Sequence, residues 1–295
     1  MKKFASIALL AVALCTALTV ALKPQRDAEA RRSEARAEGR PYVAAPASTA
    51  TTNKTEGSTK ATADEPSGKK AEEIELPHYA PSRGGQLIRH TGYTVQYDAD
   101  YKTPQWVAWE LTAAEAEGTE PRGKHFMADP QVRGASAQDT DYKGSGYDRG
   151  HMAPAADMKW SSRAMEESFY LSNICPQNRN LNRGDWKDLE ELTRHWALRY
   201  GAVSIAAGPI YETKSPKRIG ANRVAVPDAF FKVLLVGYPE NPKAYGFIFK
   251  NEAGSRPLSY YQLTVDEVER RTKMDFFPAL PDNVEQRIEA QKPAL

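Results

Sequence analysis

Six stretches of the chain are rich in the aromatic and β-branched residues that favour β-strands. They are Gln86 to His90, Tyr93 to Tyr97, Gln105 to Leu111, Ala202 to Ala207, Phe230 to Gly237 and Ala244 to Lys250. Gly92 separates the first two as a hairpin turn would, and breakers at Gly208-Pro209 and Pro239 to Pro242 follow the fourth and fifth. The pattern therefore predicts antiparallel strands.

Helical periodicity replaces the strand pattern at two places. Between Asp185 and Tyr200, apolar residues recur at spacings of three and four, which buries one face of a helix. These residues are Trp186, Leu189, Leu192, Trp196 and Tyr200. A second helix is predicted to begin at Thr264, because Thr264 and Glu267 have the spacing of a capping box, and to end before Asp275. The polar tail from Asp282 is expected to pack loosely or to form a short helix.

Strands interrupted by isolated helical patterns are typical of an α+β domain. We predict a central, mostly antiparallel β-sheet flanked by helices, in one domain that runs from residue 76 to residue 295. A chain of 295 residues, of which 41% are hydrophobic, is long enough to bury the core of such a domain.

The first 22 residues have the pattern of an export signal. Lys2 and Lys3 precede an uncharged run from Phe4 to Leu22, like the positive and apolar regions of a signal peptide. This run of 19 residues exceeds the usual apolar region and approaches the length that spans a bilayer. The sequence predicts either a cleaved signal peptide or an uncleaved membrane anchor. In both cases the body is expected to be exported, as a periplasmic, membrane-anchored or secreted protein.

Residues 23 to 75 are rich in Ala, Glu, Arg, Lys, Ser and Thr and nearly lack large apolar side chains. Such a segment cannot bury enough surface to offset its ordering entropy, so we predict a disordered tether. The first 77 residues hold 12 basic and 10 acidic side chains, which leaves 28 of each in the rest. Because the body is formally neutral, global charge does not indicate a nucleic-acid partner. Any electropositive surface must be a local cluster of arginines and lysines.

The two cysteines, Cys15 and Cys175, do not predict an internal disulfide. Cys15 lies in the apolar N-terminal run after Leu14, whereas a lipoprotein cleavage site requires a small residue there. Cys175 is expected to be a small buried hydrophobe rather than a nucleophile. The chain has neither a CxxC nor an HExxH pattern, so zinc ligation is not indicated.

Asp148-Arg149-Gly150-His151 is the first candidate for chemistry. A histidine titrates near neutral pH and can act as a general base. Arg149 can contact a phosphate or stabilise charge, and Gly150 lets another part of the chain approach closely. Taken alone, a hydrogen-bonded histidine in a surface turn would explain the same residues.

The start of the long predicted helix is the second candidate. Asn182 fits an N-cap, with Asp185 three residues later as its capping partner. Every fourth residue then forms one row along the helix: Asn182, Trp186, Glu190 and Arg194. An amide oxygen heading the row, with a carboxylate two turns on to hold water, suits Mg²⁺, which keeps several waters and takes few protein ligands. A solvated face with a Glu190 to Arg194 ion pair is an equally good explanation.

A short apolar stretch, Tyr170 to Ile174, connects the two candidates. We expect it to be a strand that runs into Pro176-Gln177-Asn178. A strand carrying His151, a loop, this second strand and then the helix headed by Asn182 would place the imidazole and the amide opposite each other.

Together these residues resemble the DNA/RNA non-specific endonuclease family, the ββα-metal nucleases. Asp148 to His151 matches the DRGH signature of that family, and Ser172-Asn173-Ile174 with Pro176-Gln177 matches its next block. Asn182, Trp186, Leu189 and Glu190 fall on its metal-binding helix. The outer blocks are similar too, at Arg89 to Tyr93, Trp106 to Leu111, Val226 to Lys232 and Asp275 to Pro281. The resemblance covers about Leu76 to Asp282 and implies a ββα-metal catalytic core within the α+β domain.

The resemblance also implies a role for three central residues. His151 would be the general base that activates water, and Asn182 would be the single direct protein ligand of a hydrated Mg²⁺, with Mn²⁺ as the alternative ion. Glu190 would hold metal-bound water. The products would carry 5′-phosphate ends.

The remaining predicted site residues surround these three. The catalytic set includes Arg149 and Asp148 of the signature. It also includes Arg122, which corresponds best to an upstream arginine that stabilises the pentacovalent phosphate. The predicted substrate or support residues are Arg194, Asn173 and Trp186.

The implied activity is hydrolysis of phosphodiester bonds in both DNA and RNA. A catalytic water, a metal and arginines all address the backbone, which is the same in every sequence, and no groove-entering element for reading bases is recognisable. Two alternatives stay open: a nucleic-acid-binding module without turnover, and a related phosphodiesterase acting on small substrates. The resemblance also allows a homodimer, and the N-terminal segment, if uncleaved, would bind a membrane.

Overall fold

The computed structural model describes residues 73–79 and 84–295. The predicted signal or anchor, residues 1–22, and nearly all of the predicted tether, residues 23–75, lie outside the described residues. Within the described part of the chain, no helix is both long enough and apolar enough to cross a membrane.

Seven strands form a central antiparallel sheet. They are β1 (Gln86–Arg89), β2 (Thr94–Asp98), β3 (Thr103–Thr112), β6 (Ala202–Ile210), β9 (Ala229–Val236), β10 (Lys243–Lys250) and β11 (Gln262–Leu263). Their order across the sheet is β1-β2-β3-β6-β9-β10-β11, and each neighbouring pair is antiparallel. Two separate two-stranded sheets are formed by β4 (Asp148–His151) with β5 (Ile174–Gln177) and by β7 (Arg218–Ile219) with β8 (Val224–Ala225).

The helices of the described residues range from one turn to more than four turns. They are α1 (Ala113–Ala116), α2 (Asp139–Tyr142), α3 (Ser162–Glu167), α4 (Arg179–Arg183), α5 (Asp185–Tyr200), α6 (Leu258–Tyr261), α7 (Val265–Thr272) and α8 (Asp282–Glu289). Short 3₁₀ turns lie at Ala155–Met158 and Leu171–Asn173.

Helices cover both faces of the sheet. On one face, Trp186 and Leu189 of α5 pack with Phe230 in a core that also contains residues next to β4 and β5. On the other face, α7 and α8 pack against the core that contains Phe231. Phe230 and Phe231 lie in different cores because successive side chains of a strand point to opposite faces. The ββα unit described below therefore lies on the α5 face, and α7 with α8 lies on the opposite face.

The predicted fold class is confirmed, and all six predicted strands are present with shifts of at most a few residues at their ends. The long helix has its predicted bounds, Asp185–Tyr200. The capping box at Thr264 is also present, because the Glu267 backbone donates to the Thr264 hydroxyl while the Glu267 carboxylate accepts from the Thr264 backbone. The tail from Asp282 forms the short helix α8.

Two strand predictions are wrong in detail. Gly208-Pro209 does not end a strand, because β6 continues to Ile210. The pairing of β6 with β3 stops at Ala207, so Pro209 lies where the strand has a partner only on the β9 side. The stretch Tyr170 to Ile174 is a 3₁₀ turn that leads into β5, and not a strand.

The predicted helix cap is also wrong. Asn182 lies inside the short helix α4, whose N-cap is Asn178; the Asn178 side chain accepts hydrogen bonds from the backbone of Asn180 and Leu181. Gly184 has a non-helical backbone and separates α4 from α5. Asp185, the expected capping partner, instead accepts a hydrogen bond from the Tyr261 hydroxyl. The row of every fourth residue is therefore interrupted between Asn182 and the rest.

Candidate active site

The β4–β5 pair fixes the position of His151. The two strands are antiparallel, with His151 opposite Ile174 and Gly150 opposite Cys175. A Cβ atom on Gly150 would lie 2.2 Å from the Gln177 side-chain oxygen, so only glycine fits at this crossing. Cys175 is fully buried, as predicted.

Asn173 holds the backbone that follows His151. Its side-chain oxygen accepts from the Ala153 N–H at 2.9 Å, and its amide donates to the carbonyls of Ala153 and Ser168, each at 2.9 Å. Its own carbonyl accepts from the Met152 N–H at 3.0 Å. Because Asn173 is fully buried, it can support the site but cannot contact a substrate.

His151 lies in an aromatic pocket with only 8% of its surface exposed. Its ring centroid is 5.3 Å from that of Phe126 and 5.1 Å from that of Phe169. Its Nε2 atom is buried and has no hydrogen-bond partner among the described residues. Burial, with a further contribution from the charge of Arg122, lowers the pKa of His151 to about 3. The imidazole is therefore neutral at neutral pH, and a neutral imidazole can accept a proton.

Asn182 is oriented by Asp148. The Asn182 amide nitrogen donates to Asp148 Oδ2 at 3.2 Å, which commits the NH₂ end of the amide to protein contacts. Arg183 donates to the same oxygen at 2.7 Å, and Arg179 lies 3.4 Å from the other oxygen. Burial opposes ionisation of Asp148, but the hydrogen bonds from Arg183 and Asn182 outweigh it and lower the pKa. Asp148 thus acts here on Asn182 and the α4 arginines.

A buried ion pair lies beneath the middle of α5. Arg194 donates to Asp157 Oδ1 at 2.9 Å, and the Trp109 indole donates to the other oxygen at 3.1 Å. Asp157 is 1% exposed. The sequence also allowed a surface ion pair between Glu190 and Arg194. The structure differs from it, because the Arg194 guanidinium binds the buried Asp157.

Lys232 adds a second cation to this region. It is 1% exposed, and its ammonium lies 4.3 Å from the ring centroid of Trp186. Burial raises the pKa of Glu190 to about 7. The charge of Lys232 opposes this rise, and the charge of Asp157 adds to it. Burial also lowers the pKa of Lys232, against the pull of Glu190 and Asp157. Glu190 therefore belongs to a buried network of alternating charges.

Arg122 connects this network with His151. Its guanidinium lies over the Phe169 ring, 5.3 Å from the centroid. Its positive charge contributes to the lowered pKa of His151 and acts against the rise that burial causes in the pKa of Glu190; burial is the larger influence on each. The charge of Arg122 thus acts on both His151 and Glu190.

Two of the predicted site residues are occupied by contacts within the protein. Arg149 donates to the Asp139 carbonyl at 2.9 Å and lies over the rings of Phe126 and Tyr142, so its guanidinium is engaged by protein groups. Trp186 is fully buried and can act only as a support, because no substrate reaches it.

Sequence reasoning missed Asp157 and Lys232. Lys232 had a signal, since it is the one charged residue of an otherwise apolar strand, β9. Asp157 had none, because an aspartate in a polar turn is common in any loop.

A two-stranded unit followed by a helix, packed on an antiparallel sheet with a histidine and an asparagine in these positions, defines a ββα-metal nuclease. The sequence signature of the DNA/RNA non-specific endonuclease family matches residues 71–283. The chain belongs to this family of metal-dependent nucleases, as the resemblance of its motifs predicted.

Relatives of the same family share this region. Mitochondrial nuclease EXOG of Mus musculus is 38% identical over 229 residues, which cover 71% of this chain and 62% of the relative. Mitochondrial Endonuclease G of Bos taurus is 32% identical over 218 residues, covering 69% and 73%. A solved structure of the EndoG/EndoGI complex, on the mechanism of EndoG inhibition, matches with a TM-score of 0.64 and 30% identity, covering 70% of this chain and 92% of that one. The chain thus spans about three fifths of the length of its EXOG relatives.

These relatives contradict the predicted export. EXOG and Endonuclease G are both named as mitochondrial proteins, so the prediction of a periplasmic, membrane-anchored or secreted protein is wrong. A basic start followed by an uncharged run does not by itself separate export from import into an organelle. Arg26, Arg31 and Arg32, which follow that run, are of the type found in mitochondrial targeting segments.

Proposed function

We propose that this protein is a Mg²⁺-dependent, sugar-non-specific endonuclease that hydrolyses phosphodiester bonds of DNA and RNA. One observation carries the proposal: within residues 73–79 and 84–295, the buried Nε2 atom of a neutral His151 has no hydrogen-bond partner, and it lies within reach of the charge of Arg122. An unpaired buried acceptor is costly. A water molecule bound during the reaction would satisfy it.

In this proposal His151 acts as the general base. Nε2 takes a proton from water as the water oxygen forms a bond to phosphorus. The bond from phosphorus to the 3′ oxygen breaks and the 3′ oxygen takes a proton from a second water, which leaves a 5′-phosphate on one product and a 3′-hydroxyl on the other. The aromatic walls formed by Phe126 and Phe169 exclude bulk water and keep the imidazole neutral.

The residues around Asn182 fit a hydrated Mg²⁺, and Mn²⁺ has the same ligand preference. Asp148 engages the NH₂ end of the Asn182 amide, so the amide oxygen is left as the donor atom, and oxygen is the ligand that Mg²⁺ prefers. Glu190 would hold water of the ion. When bound, the ion stabilises charge on the departing 3′ oxygen.

In this proposal, arginine side chains stabilise the phosphate and support the site around it. Arg122 is exposed and free to swing towards the scissile group, where its charge would stabilise the pentacovalent phosphate. Arg194 is held in place by Asp157 and supports the Glu190 end of the site.

A basic cavity beside Asn182 is the proposed track for the nucleic-acid backbone. It has a volume of about 560 Å³ and is lined by Lys143, Arg149, Arg179 and Arg183, among others. This is the local cluster that a formally neutral body requires for an anionic partner. Its contacts would be with phosphates, which supports cleavage without base specificity. Because its relatives are named as mitochondrial proteins, we propose that this protein acts in mitochondria.

Cleavage of a supercoiled plasmid and of a long RNA tests the proposal, with Mg²⁺ and with EDTA. We expect both polymers to be cut only with the metal, with 5′-phosphate ends, and Asn182→Ala to lose activity. Asn180→Ala, an exposed asparagine in the same short helix, is the matched control and should keep it. Activity of Asn182→Ala equal to that of the control would contradict the metal assignment.

Binding of DNA without cleavage would favour the binding module, and faster hydrolysis of a nucleotide ester than of polymer would favour the small-substrate phosphodiesterase.

A further inference from the structure

A carboxylate cluster lies on the face of the sheet opposite the ββα unit. Asp266 and Glu269 come from one side of α7, and Glu289 comes from the end of α8. One oxygen from each of the three lies within 4.8 Å of the others. Asp275 and Glu285 add negative charge to the same region. The cluster has no role in the proposed cleavage.

Glu289 is the member that needs a partner. The residue is 5% exposed, and in the described part of the chain its buried Oε1 atom has no hydrogen-bond partner. An ionised carboxylate can only accept hydrogen bonds, and the groups nearest to it are also carboxylates. Burying an ionised carboxylate without a cation or a donor is unfavourable, so the group holds a proton unless a cation replaces it.

The basic residues of α7 do not neutralise the cluster. Arg270 lies 3.9 Å from Glu267, and Arg271 donates to Glu212 at 3.1 Å. Within residues 73–79 and 84–295, none of the three clustered carboxylates forms an ion pair with Lys, Arg or His. Burial and then neighbouring carboxylates raise the pKa of Glu289 to about 9. The site therefore lacks a positive charge.

We propose that Asp266, Glu269 and Glu289 bind a Ca²⁺ ion that clamps α8 to α7. Calcium takes oxygen ligands at about 2.3–2.6 Å, so ligands on opposite sides of the ion are separated by up to about 5 Å. The three oxygens of this site all lie within 4.8 Å of one another, inside that limit. Magnesium demands nearly octahedral coordination and usually keeps several waters with one or two protein carboxylates, so a site of three carboxylates suits calcium better.

Asp266 and Glu269 are suited to this role by their position. A spacing of three residues places them on the same face of α7. Asp266 is exposed and Glu269 is half-buried, while Glu289 closes the buried side. The ion would enter from solvent over Asp266 and stabilise the packing of α8, remote from the reacting phosphate.

Calorimetric titration with Ca²⁺ tests the clamp, using metal-free protein transferred into a Mg²⁺-saturated buffer at neutral pH. Wild type is expected to bind one Ca²⁺ with a rise in Tm, and Asn182→Ala should bind it equally well. Glu289→Gln should weaken binding at least about tenfold, judged by the effect of losing even an indirect ligand. Nuclease activity should be unchanged in this variant.

Two further variants keep the test decisive. Asp266→Asn alters an exposed ligand and is expected to fold even if Glu289→Gln does not, again with at least about tenfold weaker binding. Glu191→Gln, on the exposed side of α5 where it pairs with Lys187, is the control and should bind like wild type. Absence of Ca²⁺ binding by wild type, or wild-type affinity in Asp266→Asn, would overturn the proposal.

Discussion

At the scale of the residue, His151 differs from a histidine that serves only in packing. A structural histidine in a core satisfies its ring nitrogens with hydrogen bonds, whereas Nε2 of His151 has no partner. Burial keeps the ring neutral at a pH where an exposed histidine begins to charge. The proposed base is thus ready to accept a proton over most of the pH range.

The same burial predicts a pH dependence of stability. The pKa of His151 is lowered from 6.5 to about 3 in the folded protein, so between these values the unfolded chain binds the proton first. Stability therefore falls as the pH falls below 6.5, by at most about 1.4 kcal/mol per pH unit for one proton. Urea unfolding in metal-free buffer should show a smaller acid loss for His151→Asn than for wild type. The exposed His195→Asn is the control, and a His151→Asn profile parallel to that of wild type would contradict the prediction.

At this scale the sequence was informative where a residue belongs to a motif. His151, Asn182 and Glu190 were predicted as the central group, and the structure places His151 and Glu190 near Arg122. Lys232 was missed although it is the one charged residue of β9, and Asp157 was missed because its burial against Trp109 and Arg194 depends on contacts that no local pattern encodes. Their roles in the proposed chemistry remain predictions.

At the scale of the element, the ββα unit depends on a turn that the sequence did not reveal. Asn178, Asn180 and Asn182 all have side chains that can cap a helix. Asn251 decides between them, because its side-chain oxygen accepts from the Asn178 N–H at 2.7 Å and fixes the chain at the start of α4. A contact across 73 positions in sequence cannot be read from local spacing.

Asn251→Ala is therefore expected to impair catalysis from outside the site. Its amide also donates to the carbonyls of Pro176 and Pro227 at 3.1 and 2.9 Å, so its loss leaves three polar groups unpaired and should cost about 1–3 kcal/mol of stability for each buried group left unsatisfied. We expect kcat to fall more than KM changes, since Asn182 is displaced.

Asn222→Ala is the matched control for this variant. Asn222 makes comparable side-chain bonds, to both oxygens of Asp141, and its loss should reduce the midpoint of urea unfolding without an equal loss of cleavage. If both variants lose activity in proportion to stability, Asn251 has no specific positioning role.

At the scale of the whole molecule, the strands of the central sheet were the most predictable feature. β9 and β10 are buried along nearly their whole length, with successive residues alternating between the two cores, and such strands appear in the sequence as apolar runs bounded by breakers. The helices on the opposite face, α7 and α8, were only partly foreseen. The location was predicted wrongly, because an apolar run after two lysines is shared by different targeting routes.

The basic cavity lies on a domain that is formally neutral. It predicts that nucleic-acid binding weakens as salt rises and does not depend on the base sequence. Arg179→Gln, in the basic cavity, should weaken DNA binding evenly across sequences and reduce the slope of log affinity against log salt by about one. Arg270→Gln, exposed on α7 at the opposite face, should leave both unchanged. Fluorescence anisotropy with two unrelated DNA sequences measures this, and an effect limited to one sequence would argue for base readout.

The cleavage rate of His151→Ala, measured with saturating Mg²⁺ and plasmid DNA, tests the assignment of the general base most directly. Removal of a general base is expected to lower kcat by about 10²–10⁴-fold, while DNA affinity and the unfolding midpoint stay close to those of wild type. A variant that folds, binds DNA and cuts it at the wild-type rate would contradict the assignment of His151 as the base.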